Sequence, residues 1–244
     1  MPTRAGTTQG LAEIVDRPVA TIAEVAERLG QVYDFARNTT TAGDDDGIAC
    51  FSGLYRTITK TIDVTPYEDR AFLERLDLEF ARRYFDALRA YAVDRTTPPG
   101  PWKLLFDSRS HPRVERVQFA AAGVNAHINY DLADALLGTF PDFPPNAERR
   151  RDYDTVDKAF KKHMDRLREF YDAPFGDSLW DRTVLDRLAN LVGSMLVRGT
   201  RANAWDDAMD VWRSRDQAKA RAQMLGRLDV AASFLGRALL VPLL

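Results

Sequence analysis

A histidine and an aspartate lie four residues apart in a helix-forming segment of the sequence, at His127 and Asp131. Residues at this spacing lie one turn apart on the same face of an α-helix. Asp131 could orient the imidazole and raise its pKa, which would make His127 a general acid or base. The two side chains could also ligate a divalent metal ion, or only satisfy each other as an internal hydrogen bond. We take them as candidate catalytic residues, and the other two interpretations stay open.

Two asparagines of the same helix lie on the opposite side of its apolar stripe. On a helical wheel of about 100° per residue, Asn125 and Asn129 flank the stripe on one shoulder, and His127 and Asp131 flank it on the other. Buried polar side chains are costly without partners, so these four need partners from the protein or from a ligand. We predict that the asparagines orient polar atoms of a substrate. Gly123 lowers helix propensity here, which predicts that a neighbouring group approaches closely.

Four further residues are candidates for binding the substrate. Tyr55 and Arg56 lie near the apolar stripe of an early helix and could line the same interior as His127. Arg198 and Trp205 lie close to a predicted helix junction, where arginines can bind a carboxylate or a phosphate. Arginines at such junctions also commonly pair with acidic side chains of neighbouring helices, so a structural role stays open.

Metal chemistry and cofactor chemistry have little support in the sequence. The chain has three histidines and one cysteine, which excludes a zinc site built from cysteines, and it lacks the paired Glu-x-x-His motifs of di-iron bundles. Residues 206–210 match the aspartate-rich motif with which terpene cyclases bind magnesium and diphosphate, but a solvated helix face is the simpler interpretation. No phosphate-binding glycine loop, Gly-x-Ser-x-Gly elbow or dinucleotide fingerprint is present. We therefore predict neither a metal nor a cofactor.

The elements that must position these residues are predicted to be helices throughout. Apolar residues recur at spacings of three and four along most of the 244 residues, and no run alternates as a strand does. The proline-rich loops, 96–101 and 141–145, are too short to separate domains. We predict a single all-α domain, residues 1–244, folded as a bundle of about seven to nine helices, with residues 1–10 as a frayed arm.

Composition narrows the partners that the protein is expected to have. The chain carries 34 basic and 36 acidic side chains, a balance that argues against a general nucleic-acid binder. No apolar stretch reaches about 18 residues, so no membrane partner is expected. The single cysteine, Cys50, is predicted to be a core residue, and a cytoplasmic location fits a chain without a secretory signal. The apolar tail, residues 234–244, is predicted to dock on the core or on a second copy in a homodimer.

A longer pattern around this helix resembles a known family. Its most specific part is the run Gly-Val-Asn-Ala-His-Ile-Asn-Tyr-Asp-Leu at 123–132, and further matching residues lie at 46–55, at 72–85 and at Pro101-Trp102. These residues resemble an uncharacterised bacterial domain-of-unknown-function family over about residues 40–235. The resemblance implies an all-helical fold and brings no activity with it.

The sequence favours an enzyme that acts on a small or medium, largely apolar organic molecule in a pocket inside the bundle. Acid/base chemistry at His127 and Asp131 would suit a cyclisation, an isomerisation or a hydrolysis, for example in specialised metabolism. Two alternatives stay open: a binding protein without chemistry, and a structural or oligomerising protein whose polar helix is a satisfied network. A metal-dependent enzyme, including one that processes diphosphates, has the least support. A cavity at His127 is expected for an enzyme or a binding protein, and not for a purely structural protein.

Overall fold

The structure, a computed structural model, describes residues 4–63, 66–156 and 199–242, and these residues form helices and loops without a strand. A π-helical turn, His127–Asp131, joins two of the helices. The helices are α1 (Arg4–Val15), α2 (Ile22–Thr39), α3 (Gly47–Asp63), α4 (Arg70–Val93), α5 (Gly100–Ser108), α6 (Arg116–Ala126), α7 (Leu132–Thr139), α8 (described over 147–156), α9 (Gly199–Arg213) and α10 (Gln217–Leu239). The predicted all-α bundle is confirmed.

Polar side chains fix the starts of several helices. The Thr21 hydroxyl accepts a hydrogen bond from the Glu24 backbone N–H at 3.2 Å, as the capping pattern predicts. The Asp46 carboxylate accepts from the Ile48 backbone N–H at 2.9 Å, just after α3 begins. Because the first backbone N–H groups of a helix have no partner within it, these oxygens satisfy donors that would otherwise be lost.

Helix α1 begins at Arg4, inside the segment for which the sequence predicts a frayed arm. Leu11 and Val15 are buried in the common core, and the helix packs along α4. Residues 4–10 therefore continue a helix whose second half is anchored by apolar burial. The sequence offered no cap and few apolar residues before Leu11, so its pattern did not reveal this start.

One hydrophobic core joins the described helices, and α6 lies at its centre. Every residue from Gln118 to Ala126 is buried, because α3 and α5 pack against α6 from one side and α10 packs from another. The phenyl ring of Phe51 lies directly against Gly123: a β-carbon added there would be 2.3 Å from Cδ2 of that ring. The close approach predicted at Gly123 is therefore present.

Some predicted features fall outside the described residues. They are the candidate binding residue Arg198 and the part of the predicted helical bundle that falls within 157–198. Among the helices that are described, none is both long and apolar enough to cross a lipid bilayer. The proposed extent of the domain, residues 1–244, stays a prediction.

Candidate functional site

The turn that carries both candidate catalytic residues is π-helical, from His127 to Asp131. Such a turn holds one more residue than an α-helical turn, and π-turns occur frequently at functional sites. The two side chains meet within it: Nδ1 of His127 lies 3.0 Å from Oδ2 of Asp131. Only 3% of His127 and 2% of Asp131 is exposed, so the pair lies inside the bundle.

Trp102, at the start of α5, holds the carboxyl group of Asp131 from the other side. Its indole Nε1–H donates to the same oxygen, Oδ2, at 3.0 Å. An oxygen that already accepts one N–H favours the imidazole tautomer in which Nδ1 also donates to it. We assign the proton of His127 to Nδ1, which leaves Nε2 with a lone pair.

Nε2 of His127 is buried and has no hydrogen-bond partner among the described residues. The ring is held in place by aromatic contacts instead. Phe80 stacks on it with ring centroids 3.4 Å apart and planes at 8°, and Tyr55 meets it edge to face at 4.5 Å. Burial, stacking and the bond at Nδ1 together fix the direction in which Nε2 points.

His127 lines a largely apolar cavity of about 60 Å³ among α3, α4, α6 and the π turn. Asp131, the partner of its Nδ1, does not line this cavity. The other polar side chains in the described lining are Tyr55, Asp77 and Arg201, and the rest of that lining is aliphatic or phenyl. The volume is smaller than the roughly 150 Å³ of an engineered cavity that admits benzene.

Burial controls the protonation of the pair. It lowers the pKa of His127 well below the ordinary value of 6.5, because an imidazolium ion loses its hydration there. Burial also raises the pKa of Asp131 well above 3.8, against the opposing effects of the Trp102 hydrogen bond and the Arg83 charge. The net shift of the His127 pKa is therefore downward, and Asp131 does not raise it above the ordinary value. His127 is neutral at neutral pH, which is the form that a general base needs.

The comparisons with known proteins identify a family. The model of a family of unknown function (DUF5995) matches residues 22–242. The chain belongs to this family. The DUF5995 match extends from α2 to α10 and so includes the π turn and every described wall of the cavity. No curated protein and no solved structure matches the chain.

In this DUF5995 chain, Asn125 and Asn129 face away from the His127 cavity. Asn125 Nδ2 donates to the carbonyl oxygen of Ala232 in α10 at 2.8 Å, and Asn129 Nδ2 donates to Asn125 Oδ1 at 2.9 Å. Neither side chain lines the cavity. The structure therefore does not bring the predicted substrate-orienting asparagines to His127, because Asn125 is paired with α10 and Asn129 is paired with Asn125.

The other predicted binding residues are dispersed. Tyr55 lies in the cavity lining, while Arg56 lies against Gly30 of α2 and does not reach the cavity. Trp205 is buried among aromatic rings between α4, α7 and α8. Arg198 is outside the described residues. Arg201, three residues later in the sequence, lines the cavity. Only Tyr55 thus joins His127 from the set of predicted binding residues that the structure describes.

Sequence reasoning missed Trp102 and Phe80 as members of the site. A buried tryptophan needs an acceptor for its indole N–H, so Trp102 carried a general signal but no indication of its partner. Its contact with Asp131 spans 29 residues of sequence. Nothing in the sequence indicates that Phe80 stacks on His127, because Phe80 is one of several apolar residues on the buried stripe of α4.

A second groove, of about 520 Å³, lies between α7, α9 and α10 and includes Asn129. None of its described lining residues carries a buried polar atom without a partner, and Arg227 pairs with Asp207 there at 2.7 Å. Across the part of the DUF5995 chain that the structure describes, no three His, Cys, Asp or Glu side chains are grouped to hold a metal ion. The His127 cavity is therefore the stronger candidate.

Proposed function

We propose that this DUF5995 protein is an enzyme that uses His127 as a general acid/base on a small, largely apolar organic molecule. One observation carries the proposal: Nε2 of His127 is buried and has no partner among the described residues, in a side chain that lines an apolar cavity. Leaving a buried polar atom unpaired costs about 1–3 kcal/mol, so such atoms are rare without a reason. A substrate atom is the partner that this arrangement supports best.

The surroundings of the imidazole suit transfer of a proton at Nε2. Proton uptake places positive charge on the ring, and the Asp131 oxygen that accepts from Nδ1–H lies 3.0 Å from it as a hydrogen-bond acceptor. Trp102 holds Asp131 in position, and stacking against Phe80 holds the plane of the ring. Isomerisation or cyclisation fits the site better than hydrolysis, because the apolar walls give an attacking water few hydrogen-bond partners.

The size of the cavity supports a small substrate or the reacting end of a larger one. Its volume of about 60 Å³ suits a group of a few heavy atoms. The proposed setting is the reducing cytoplasm, which suits a chain with one cysteine. A homodimer is also part of the proposal, because Phe234 and Val241 near the end of α10 are 75% and 59% exposed.

The test asks whether the protein contains a general base at His127. Nitroethane is a small carbon acid, and exchange of its α-hydrogens for deuterium in D₂O is measured by proton NMR. We expect the wild-type protein to accelerate exchange over buffer and His127→Gln to lose that acceleration. His111→Gln is the matched control, because His111 is exposed and lies outside the cavity.

Equal exchange rates for the wild-type protein and His127→Gln would contradict the proposed base. Binding of nitroethane without accelerated exchange would favour the alternative, a binding protein without chemistry. Because burial lowers the pKa of His127, the acceleration should persist below pH 6.5, where an ordinary histidine becomes protonated.

A further inference from the structure

The hydroxyl group of Tyr55 is a second polar atom in the His127 cavity without a partner. Its Oη is buried, and no described residue accepts or donates a hydrogen bond there. The ring of Tyr55 lies 4.5 Å from that of His127, so the two side chains border the same small space. The cavity thus offers one acceptor, Nε2, and one neutral donor, the phenolic O–H.

The hydroxyl groups of the other buried tyrosines in the described chain have hydrogen-bond partners. The Tyr84 hydroxyl bonds to the Ser52 hydroxyl at 2.8 Å. The hydroxyls of Tyr91 and Tyr153 each donate to a backbone carbonyl oxygen, at 3.0 and 2.7 Å. The hydroxyls of these three tyrosines are therefore satisfied within the protein, whereas Tyr55 lines the cavity and its hydroxyl has no described partner.

The charged side chains in the lining do not supply the missing partners. Asp77 and Arg201 both have interactions of their own. Arg201 donates to the backbone carbonyl of Tyr153 at 3.1 Å and lies 4.3 Å over the ring of that tyrosine. A ligand for Tyr55 and His127 is therefore expected to be uncharged, because a charged one would lose its hydration among apolar walls without gaining a free counter-ion.

We infer that the substrate is a small uncharged ketone or aldehyde, which the site converts to its enolate. The carbonyl oxygen accepts a hydrogen bond from Tyr55 Oη, and a hydrogen on the adjacent carbon faces Nε2 of His127. This inference rests on the proposed function, since it uses the same base, and adds Tyr55 as a second catalytic residue. An alcohol could also pair with both atoms, but loss of its proton leads to no product without a second reactant.

The reaction balances with the groups present. Nε2 takes the proton from the α-carbon, and the electron pair of that C–H bond forms the C=C bond. The π pair of the carbonyl moves to oxygen, where the Tyr55 O–H stabilises the negative charge. Return of the proton from Nε2 to the same carbon restores the ketone, and return to a conjugated carbon gives an isomer. No oxidant, reductant or second substrate is required.

Burial keeps Tyr55 in the form that this step needs. The pKa of the phenol is raised well above 10, chiefly by desolvation, so the hydroxyl keeps its proton. The donor is also close to the base without competing with it, since neither atom is bonded to the other or to any described neighbour.

The test compares deuterium exchange at the α-carbons of acetone and butanone in D₂O, measured by proton NMR, with nitroethane in parallel. We expect the wild-type protein to accelerate ketone exchange and Tyr55→Phe to reduce the acceleration about 100-fold, as removal of an oxyanion donor does. The acceleration of nitroethane exchange should fall less in this variant, because the nitroethane anion needs less stabilisation than an enolate does. Tyr84→Phe is the matched control, because it removes a buried hydroxyl outside the cavity and should leave exchange unchanged.

The outcomes separate the inference from the proposed function. Accelerated exchange of nitroethane but of neither ketone would overturn the inference and leave the base at His127 intact. Ketone exchange that is equally fast in Tyr55→Phe would also overturn it, because the hydroxyl would then have no part in the reaction. No acceleration with any of the three compounds would remove the proposed base, and the inference with it.

Discussion

His127 and Asp131 have pKa values shifted in opposite directions by the same cause, and the two shifts affect stability with opposite signs. The folded-state pKa of His127 is lowered, so its contribution to stability is present above pH 6.5 and is lost as the pH falls. The folded-state pKa of Asp131 is raised, so its contribution is present below pH 3.8 and is lost as the pH rises. Between these values the two contributions oppose each other in the wild-type protein.

Asp131→Asn separates the two effects. An asparagine oxygen can still accept from Trp102 and from Nδ1 of His127, but the titration of the carboxyl group is gone. We expect the unfolding free energy of the wild type, minus that of the variant, to fall as the pH rises from 5 to 8, by up to about 1.4 kcal/mol per pH unit. Urea unfolding of both proteins at several pH values measures this difference.

Asp134→Asn serves as the control for this prediction. Burial favours a raised pKa for Asp134, but Arg221 and Arg83 outweigh it and hold the pKa below 3.8. Its contribution to stability is therefore constant between pH 5 and 8 and is lost only in stronger acid. A wild-type minus Asp131→Asn difference that is also flat over this range would show that Asp131 is ionised in the folded protein.

At the scale of helices, the close packing of α3 against α6 depends on Gly123. A methyl group at this position would overlap the ring of Phe51, which lines the His127 cavity. We expect Gly123→Ala to lower the unfolding free energy by about 1–3 kcal/mol, since an overpacked core must shift its neighbours. The same shift of Phe51 should change ligand binding in the cavity. Thermal and urea unfolding measure the first effect, and titration with butanone measures the second.

Gly226→Ala is the matched control on α10. Nothing lies within 4 Å of the position that its β-carbon would occupy. Helix propensity alone then applies, and alanine should raise the unfolding free energy by about 1 kcal/mol. If Gly123→Ala also stabilised the protein, the predicted contact between Phe51 and Gly123 would not be as close as the structure places it.

Most helices and several of their starts were predictable, whereas the start of α1 and the shape of the site were not. Caps such as Thr21 and the spacing of His127 and Asp131 are local features, so the sequence pattern is enough to find them. A helical wheel assumes a constant turn, and it therefore missed the π turn. The asparagines were assigned to a substrate because α10, which is distant in sequence, could not be placed beside Asn125.

For the molecule as a whole, the docking of α10 combines apolar burial with a buried ion-pair network. Asp134 on α7 is bonded by Arg83 of α4, at 2.6 Å, and by Arg221 of α10, at 2.5 and 2.8 Å. The same helix meets the start of α5, where Asp229 accepts the Gly100 backbone N–H at 2.8 Å. Within this network, we expect the less exposed ion pair to contribute more to the unfolding free energy, because water screens charges at the surface.

Arg83→Met and Arg221→Met test that order. The Arg83 side chain is 15% exposed and that of Arg221 is 50% exposed, while Asp134 is buried between them. Loss of Arg83 removes a largely buried partner of Asp134 and should lower the unfolding free energy by about 3 kcal/mol. Loss of Arg221 should lower it by about 1 kcal/mol or less, since half-exposed ion pairs contribute little. Urea unfolding at low and high salt measures both, and salt should change only the Arg221 effect.

An equal loss of unfolding free energy in the two variants would contradict this order. Asp134 would then depend on Arg221 of α10 as strongly as on Arg83 of α4, and the ion pair with Arg221, rather than apolar packing, would hold α10 in place.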